Sequence, residues 1–148
     1  MPLTPGPELD ALLALLPYGD GFRFVDQVVG LNDNSVVTRK RYGFSDPSIA
    51  AHQIGGKSVV PGVYLLEQAA QSALLLAMAR EPERAVMAYW LAKIDGLFHA
   101  PVWPPCEVVA ETQVVLVQDS FGFRTACRIG QTLVASVKGV VARRPSES

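Results

Sequence analysis

Three groups that could move a proton lie close together in this sequence. His52 stands in a loop, Gly62 follows Pro61 at the start of an apolar helix, and Glu67 is the one charged residue between 63 and 79. Histidine titrates near neutral pH and can accept a proton, and a helix N-terminus offers free backbone N–H groups. A carboxyl in apolar surroundings favours its protonated form. Together these three groups could catalyse an elimination, in which a proton is removed from the carbon next to a carbonyl and a substituent is lost from the β carbon.

Each of these groups takes a definite role in that interpretation. His52 accepts the α-proton, Gly62 N–H holds the developing enolate oxygen, and Glu67 protonates the leaving hydroxyl. A structural alternative exists for both side chains: Glu67 as a buried carboxylate satisfied by hydrogen bonds, and His52 as an ordinary surface residue. At about 100° per residue, Glu67 shares a helix face with four residues of which only Gln71 is polar, namely Val63, Ala70, Gln71 and Leu74.

The elements that would position these groups follow an α+β pattern. A short helix ends near Leu16, and strands over 22–31 and 36–44 form a hairpin around the turn at 32–35. A loop over 45–57 leads to the central helix, which Pro61 and Gly62 begin. Four strand-like runs then suggest an antiparallel meander, over 85–95, 106–118, 121–130 and 132–143.

The central helix also bears on the number of subunits. A helix that is apolar on every side has to be enclosed, and one curved sheet of about five strands covers only one of its sides. A second subunit supplies the missing layer most readily, so a dimer is expected. The sequence is interpreted as a single domain over 1–144 with a disordered tail over 145–148.

Composition excludes several classes of function. The chain has 148 residues, 49% of them hydrophobic, and a net charge of -1. This suits one globular domain and gives no basic footprint for nucleic acid or an anionic membrane. The first residues lack a signal-peptide pattern, and Glu67 interrupts the longest apolar stretch, so a membrane span is rejected. Cys106 and Cys127 have neither disulfide-framework nor zinc spacing, and a cytoplasmic location is expected.

Several segments carry a resemblance to a known family. "VPGVYLLEQAAQ" (60–71) matches a Pro-Gly-Val helix start followed by an acidic residue, and "SDPSIAAH" (45–52) matches an approach to a histidine. "LLPYGDGFRFVD" (15–26) and "WLAKIDGLFHAPVWP" (90–104) add support. Together they resemble the hotdog-fold 3-hydroxyacyl-acyl-carrier-protein dehydratases of fatty-acid synthesis, roughly from Leu15 to Arg143. "HQIGG" replaces the usual His-Phe-Pro-Gly, and Tyr18-Gly19 replaces a His-Arg pair, which suggests a divergent branch.

The resemblance implies a fold and a reaction. The expected fold is a hotdog: an antiparallel sheet of about five to six strands wrapped around one long central helix, in a dimer. The expected reaction is the reversible dehydration of a 3-hydroxyacyl thioester to the trans-2-enoyl thioester. His52 of one subunit would face Glu67 of the other, and no metal or redox cofactor would be required.

The resemblance further implies a substrate and partners. The acyl group would arrive on phosphopantetheine, carried by acyl carrier protein or coenzyme A, and enter an apolar tunnel. The expected substrate-binding residues are Pro61, Val63, Tyr64 and Gln71. The acidic carrier protein would dock on Arg39, Lys40, Arg41 and Lys57. A homodimer is expected, with a heterodimer or a trimer of dimers as alternatives.

Two other functions fit the same sequence. A hotdog thioesterase would use Glu67 as base or nucleophile and leaves His52 without a clear role. A non-catalytic partner subunit of a dehydratase heterodimer would account for the altered loop from Gln53 to Lys57. The presence of both His52 and Glu67 argues against that second alternative.

Overall fold

The computed structural model describes residues 7–146, in which six long strands form one antiparallel sheet against a single long helix. The helices are α1 (Pro7–Asp10), α2 (Pro47–Ala51) and α3 (Gly62–Arg80), and three 3-10 segments cover Ala11–Leu15, Asp20–Phe22 and Arg84–Val86. The strands are β1 (Gln27–Leu31), β2 (Ser35–Tyr42), β3 (Gln53–Ile54), β4 (Lys57–Ser58), β5 (Met87–Phe98), β6 (Cys106–Val117), β7 (Ser120–Ile129) and β8 (Thr132–Pro145). The predicted α+β class and the hotdog arrangement are confirmed.

The order of the strands differs from a simple meander. The sheet runs β1-β2-β6-β7-β8-β5, so β6, β7 and β8 are consecutive neighbours while β5 lies at the edge beside β8. Helix α3 packs across β2, β5, β6, β7 and β8. The chain can therefore leave the sheet after β2 and re-enter it at the opposite edge as β5. The prediction of four strands in sequence order was wrong for this strand.

Helix α3 packs on one face of the sheet. Ten consecutive residues, from Gln68 to Ala77, are buried, and each fully buried leucine among them contributes roughly 1.5–3 kcal/mol. Two buried polar residues of α3 bond to the sheet. Gln68 Nε2 donates to Val108 O at 3.1 Å and its Oε1 accepts from the Tyr42 hydroxyl at 2.9 Å. Ser72 Oγ donates to Gln68 O and also lies 2.7 Å from Thr38 Oγ1.

Three sequence-based boundaries change in the structure. The segment 45–57, predicted as a loop, contains α2 and begins a small hairpin of β3 and β4. The first long strand begins at Gln27 instead of residue 22, because the backbone of Phe22 and Phe24 bonds to a helix side chain instead of a strand. Strand β8 runs to Pro145, past the predicted end of the domain at 144. Residues 147 and 148 of the predicted tail, and residues 1–6, lie outside the described residues.

The β5 edge is long and apolar. Strand β5 has twelve residues and pairs with β8 on one side. Four large apolar side chains of this strand are between 42% and 66% exposed: Trp90, Leu91, Leu97 and Phe98. In the described part of the chain, no helix has the length and apolarity that a membrane span needs.

Candidate active site

His52 is held in one orientation by the residues around it. It ends α2, which Asp46 caps by accepting the Ser48 N–H at 2.9 Å. The His52 ring Nδ1 lies 3.0 Å from Val59 O. Because a carbonyl oxygen can only accept, this contact requires a proton on Nδ1. In the neutral ring the lone pair then lies on the other nitrogen, Nε2, and the imidazole is exposed.

The small hairpin after His52 explains how Val59 reaches the ring. Gly55 and Gly56 turn the chain with φ values of +59° and +77°, which glycine adopts without strain. Val59 N–H then donates to His52 O at 2.9 Å, and Ser58 Oγ donates to Ala50 O at 2.9 Å. The "HQIGG" departure from the family pattern is therefore a compact turn that returns the chain to the histidine.

Gly62 begins α3 beneath an aromatic ring. Pro61 is the N-cap, and no side chain caps this end of the helix among the residues described. The first N–H groups of the helix are thus available to an acceptor. A Cβ placed on Gly62 would lie 3.0 Å from Cε1 and Cζ of Phe98. A glycine lets Phe98 close over the helix start without displacing it.

In a single chain, Glu67 is only partly enclosed. It is half-buried in the single chain and lies on a small groove of about 180 Å³. The groove is lined by Tyr18, Phe22, Ala70, Leu74, Trp90, Leu91 and Val141. Burial, and then the nearby Glu67 carboxylate, raise the pKa of Tyr18 above its ordinary value. The expectation of a buried acid was made for a dimer, so the half-buried state of Glu67 in a single chain leaves it a prediction.

Gln71 has a different role from the predicted one. Its side chain is buried, with 1% exposed, and its amide is fully bonded. Nε2 donates to Phe22 O at 2.9 Å and to Glu67 Oε1 at 3.0 Å, while Oε1 accepts the Phe24 N–H at 2.8 Å. Gln71 therefore cannot bind substrate with these atoms. It fixes the Glu67 carboxyl and leaves Oε2 as the oxygen that can carry a proton.

The other predicted substrate-binding residues surround the helix start. Pro61 is half-buried and Val63 is 63% exposed. The Tyr64 ring packs edge-on against Phe24 with the centroids 5.0 Å apart. Its hydroxyl bonds to Ser48 Oγ of α2. Tyr64 thus joins the helix that carries Glu67 to the short helix that carries His52.

The predicted carrier-docking cations are largely engaged within the chain. Arg39 pairs with Glu107 at 3.6 Å, and Lys40 pairs with Asp26 at 3.2 Å. The Lys57 ammonium lies 4.3 Å from the centre of the Trp103 ring. Arg41 is exposed. These residues do not form one free cationic patch.

His52 and Glu67 do not meet within one chain. The polar contacts described for their side chains are to Val59 and to Gln71. The sequence did not predict that two aromatic residues of β5 belong to the site. In the structure, Trp90 lines the groove at Glu67, and Phe98 lies against Gly62. Within residues 7–146, no group of three or more His, Cys, Asp or Glu side chains could hold a metal ion.

Comparison with known proteins gives these residues a context. No protein-family model matches the chain. A 3-hydroxyacyl-[acyl-carrier-protein] dehydratase FabZ from an Anaeromyxobacter species is 31% identical in an alignment of 152 positions, gaps included, that covers 97% of this chain and 96% of that protein. The chain belongs to the FabZ dehydratase family. It is a divergent member, in keeping with this low identity and with the altered loop after His52.

Solved structures agree on the fold. A dehydratase heterocomplex from Xenorhabdus doucetiae superposes with a TM-score of 0.75 at 13% identity, covering 91% of both chains. A thioesterase from Pseudomonas aeruginosa superposes with a TM-score of 0.74 at 12% identity, covering 95% of this chain and 96% of that one. At such identities the likeness shows the hotdog fold alone.

Proposed function

We propose that the protein catalyses the reversible dehydration of a 3-hydroxyacyl thioester, carried on acyl carrier protein, to the trans-2-enoyl thioester. The family supports the reaction class, and one observation carries the assignment of residues. His52 and Glu67 each have one polar atom engaged by a fixed partner and one left free. These contacts leave a lone pair on Nε2 of His52, which a general base needs, and a site for a proton on Oε2 of Glu67, which a general acid needs.

The proposed steps balance without a redox change. His52 Nε2 takes the α-proton, and the electron pair moves onto the thioester oxygen, which Gly62 N–H stabilises. The enolate then expels the β-hydroxyl, which takes the proton of Glu67 and leaves as water. A proton passing from His52 back to Glu67 restores the starting state. Since no electrons are gained or lost overall, no redox cofactor is required. Because Gly62 N–H would stabilise the enolate oxygen and Glu67 would protonate the leaving hydroxyl, we propose that no metal takes part either.

The site is proposed to form between two subunits. The unpaired side of β5 presents free backbone N–H and C=O groups, and such edges pair readily with another strand. The exposed Trp90, Leu91, Leu97 and Phe98 of β5 would be covered by the same pairing. Joining two chains along β5 would also close the groove at Glu67, to which Trp90 and Leu91 belong. His52 of one subunit would then face Glu67 of its partner.

Hydration of a crotonyl-pantetheine thioester by the purified protein tests the reaction. We expect His52→Ala and Glu67→Gln each to lower the rate by roughly 100-fold or more, as for loss of a general base or acid. His99→Ala is the matched control, because His99 bonds to Ser136 Oγ at 2.9 Å and has no proposed role. An inactive but folded wild-type protein, or two variants as active as the wild type, would refute the proposal.

Mixed dimers test the placement of the site. When a His52→Ala chain pairs with a Glu67→Gln chain, one site between the subunits loses both groups and the other keeps both. Mixing two inactive variants should therefore restore up to about half of the wild-type rate per mixed dimer. If both groups act within one chain, every site in the mixture lacks one of them and no activity returns.

A thioesterase is the second candidate, because Glu67 Oε2 has no hydrogen-bond partner within residues 7–146 and could also activate water; a thioesterase from Pseudomonas aeruginosa shares the fold. In it, Glu67 would activate water or attack the thioester, and His52 would be dispensable. Following free thiol in the crotonyl-pantetheine assay separates the two reactions, because hydration leaves the thioester intact and hydrolysis releases pantetheine. A partner subunit without activity is the third candidate, and it predicts neither hydration nor thiol release.

A further inference from the structure

A chain of three polar side chains joins the short helix α2 to the start of α3. Asp46 Oδ1 accepts the Ser48 N–H at 2.9 Å and the Ser48 hydroxyl at 2.7 Å. Ser48 Oγ also bonds to the hydroxyl of Tyr64, in the first turn of α3. A serine hydroxyl has one proton, and a carboxylate can only accept. The Ser48 proton therefore points to Asp46, and the Tyr64 hydroxyl donates its own proton to Ser48 Oγ.

This direction of donation limits what the Tyr64 hydroxyl can do. Its one proton is given to Ser48, so it is not available as a donor to substrate. The Asp46 carboxylate polarises the Ser48 hydroxyl and makes it a better acceptor. The Tyr64 ring also packs against Phe24 and Tyr42, with centroids 5.0 Å and 6.5 Å away. Tyr64 is thus held at both its ring and its hydroxyl, as a residue that supports the site would be.

Helix α2 is attached to the start of α3 at two points. Ser48 and His52 are four residues apart, so their side chains lie on one face of this helix. Ser48 bonds to Tyr64 at one end, and His52 Nδ1 lies 3.0 Å from Val59 O at the other. Val59 and Tyr64 belong to one continuous segment, 59–64, which leads into α3. Two attachments to one segment prevent α2 from turning about either of them.

Helix α2 depends on such attachments because it is short. It has five residues, and an isolated helix of this length is not stable in water. Ser58 Oγ donates to Ala50 O and holds the C-terminal end. At the N-terminal end Ile49 is buried, and Ser48 bonds to Tyr64. Losing that bond would weaken the hold on this end, and any tilt of α2 moves the imidazole of His52 at the other end.

The proposed dimer gives this link a definite address. His52 and Glu67 of one chain would serve two different active sites, each completed by the partner. Tyr64 lies three residues before Glu67 on α3, so it could act at the site of its own Glu67 or, through Ser48, at the site of its own His52. The polar contact described for the Tyr64 side chain is to Ser48, and the one described for Glu67 is to Gln71. These bonds favour the site of His52.

We propose that Tyr64 is a positioning residue for His52 and acts through Ser48. It serves the active site to which its own chain contributes the base, and not the site to which its chain contributes the acid. This inference rests on the proposed function for the reaction and on the proposed dimer for the separation of the two sites. It replaces a direct contact between the Tyr64 hydroxyl and substrate.

Two conservative variants remove the Ser48–Tyr64 bond. Tyr64→Phe and Ser48→Ala should each lower kcat for the hydration of crotonyl-pantetheine by about 3- to 10-fold, as for the loss of one hydrogen bond, with KM little changed. The double variant should lose no more than either single variant, because both remove the same bond. Tyr89→Phe is the matched control, because the Tyr89 hydroxyl has no hydrogen-bond partner among the residues described. Its kcat should stay within about twofold of the wild type.

Mixed dimers separate the two sites. In the first, a chain with Tyr64→Phe and Glu67→Gln pairs with a His52→Ala chain, so the complete site takes its base from the chain without the Tyr64 hydroxyl. In the second, a chain with Tyr64→Phe and His52→Ala pairs with a Glu67→Gln chain, so the complete site takes only its acid from that chain. Each is compared with the same pair without Tyr64→Phe. We expect kcat to fall by about 3- to 10-fold in the first and by less than about twofold in the second.

The imidazole of His52 offers a measurement that does not depend on turnover. Nitrogen NMR distinguishes the two tautomers of a neutral histidine, and the spectrum of His52→Ala assigns the other histidine, His99. The wild type should hold the Nδ1–H tautomer of His52, because Val59 O accepts that proton. The fraction of the Nε2–H tautomer should rise in Tyr64→Phe and in Ser48→Ala, but not in the Tyr89→Phe control.

The outcomes separate this inference from the proposed function. The positioning role is refuted if both single variants keep the wild-type kcat, if the second mixed dimer loses as much as the first, or if the tautomer fraction of His52 does not change. If the mixed dimers are inactive even without Tyr64→Phe, the assignment of Tyr64 to one of two sites is refuted. A shift of the tautomer in a protein that does not hydrate crotonyl-pantetheine would support the hold on His52 and refute the dehydratase. Hydration that both variants leave unchanged would do the reverse.

Discussion

Replacing Gln71 by methionine should separate the positioning of Glu67 from its chemistry. The side chain keeps nearly its length but loses the three hydrogen bonds to Phe22 O, Phe24 N and Glu67 Oε1. Two backbone groups are then left without partners, each at a cost of roughly 1–3 kcal/mol. Because both backbone groups are only partly buried, we expect the lower end, about 2 kcal/mol of unfolding free energy in all.

The effect on the rate follows from the third bond. Glu67 becomes a carboxylate as it gives up its proton, and a hydrogen bond to a charged group is worth about 1.5–3 kcal/mol. Each 1.36 kcal/mol lost in this step corresponds to about a factor of ten in rate. Gln71→Met should therefore lower kcat on crotonyl-pantetheine by roughly 10- to 100-fold, with KM little changed. The loss should not exceed that of Glu67→Gln, because the acid itself is still present.

A buried hydroxyl elsewhere in the sheet provides the control. Thr112 Oγ1 lies 2.7 Å from Thr125 Oγ1, and both residues are buried. Thr112→Val leaves one hydroxyl without its partner and should cost about 1–2 kcal/mol without touching Glu67. Urea unfolding should thus show a loss of stability in both variants, and steady-state kinetics should show a loss of kcat only in Gln71→Met. A kcat for folded Gln71→Met within twofold of the wild type would refute the positioning role.

The β5 edge, the Cys127 thiol and the close packing at Gly139 give three further expectations. Trp90→Glu puts a charge into the proposed contact between two β5 strands and should separate the subunits, which halves the mass measured by light scattering. An unchanged mass would show that the subunits do not meet along β5. Burial raises the pKa of Cys127 to about 12 from 9.0, so the unfolded chain loses this proton first. Stability should fall as pH rises from 9 towards 12, by at most about 4 kcal/mol, and the melting temperature of Cys127→Ala should fall less over that range. Gly139→Ala would place a Cβ 2.3 Å from Lys93 O and should destabilise the β5–β8 pairing, whereas Gly122→Ala, with its nearest contact at 3.9 Å, should be tolerated. Thermal unfolding distinguishes the two alanine variants, and equal melting temperatures would contradict the packing argument.

The elements that the sequence predicts well are those determined by local patterns. Helix α3 begins where it was predicted to begin, because Pro61 starts a long run with no competing turn signal. Strands β6, β7 and β8 also lie close to their predicted ranges. Many of their inward residues are apolar and buried, while Glu111 and Gln113 of β6 and Arg124 of β7 face outward, and this partial alternation is visible in the sequence itself.

The features that the sequence misses depend on contacts between distant residues. The five residues of α2 and the two-residue strands after it are too short for a periodic signal, and hydrogen bonds of His52 and Ser58 hold them in place. The late start of β1 is caused by Gln71, which lies 47 positions away from Phe24. The position of β5 at the sheet edge depends on how the chain crosses α3. Residue types and spacing gave the candidates His52, Gly62 and Glu67, and the family resemblance supported them, but which of their atoms are free could be found only from coordinates.

The polar bonds of Gln68 and Ser72 have a consequence for the angular setting of the central helix. A helix with ten consecutive buried residues has no single apolar side. Hydrophobic burial alone would therefore allow it to rotate about its axis or to shift along the sheet. The bonds to Val108, Tyr42 and Thr38 select one rotation and one depth. Apolar replacements of similar size could leave the chain folded yet spread over several helix settings. Glu67 would then point in a different direction in each helix setting, so the protein would lose activity while it was still folded.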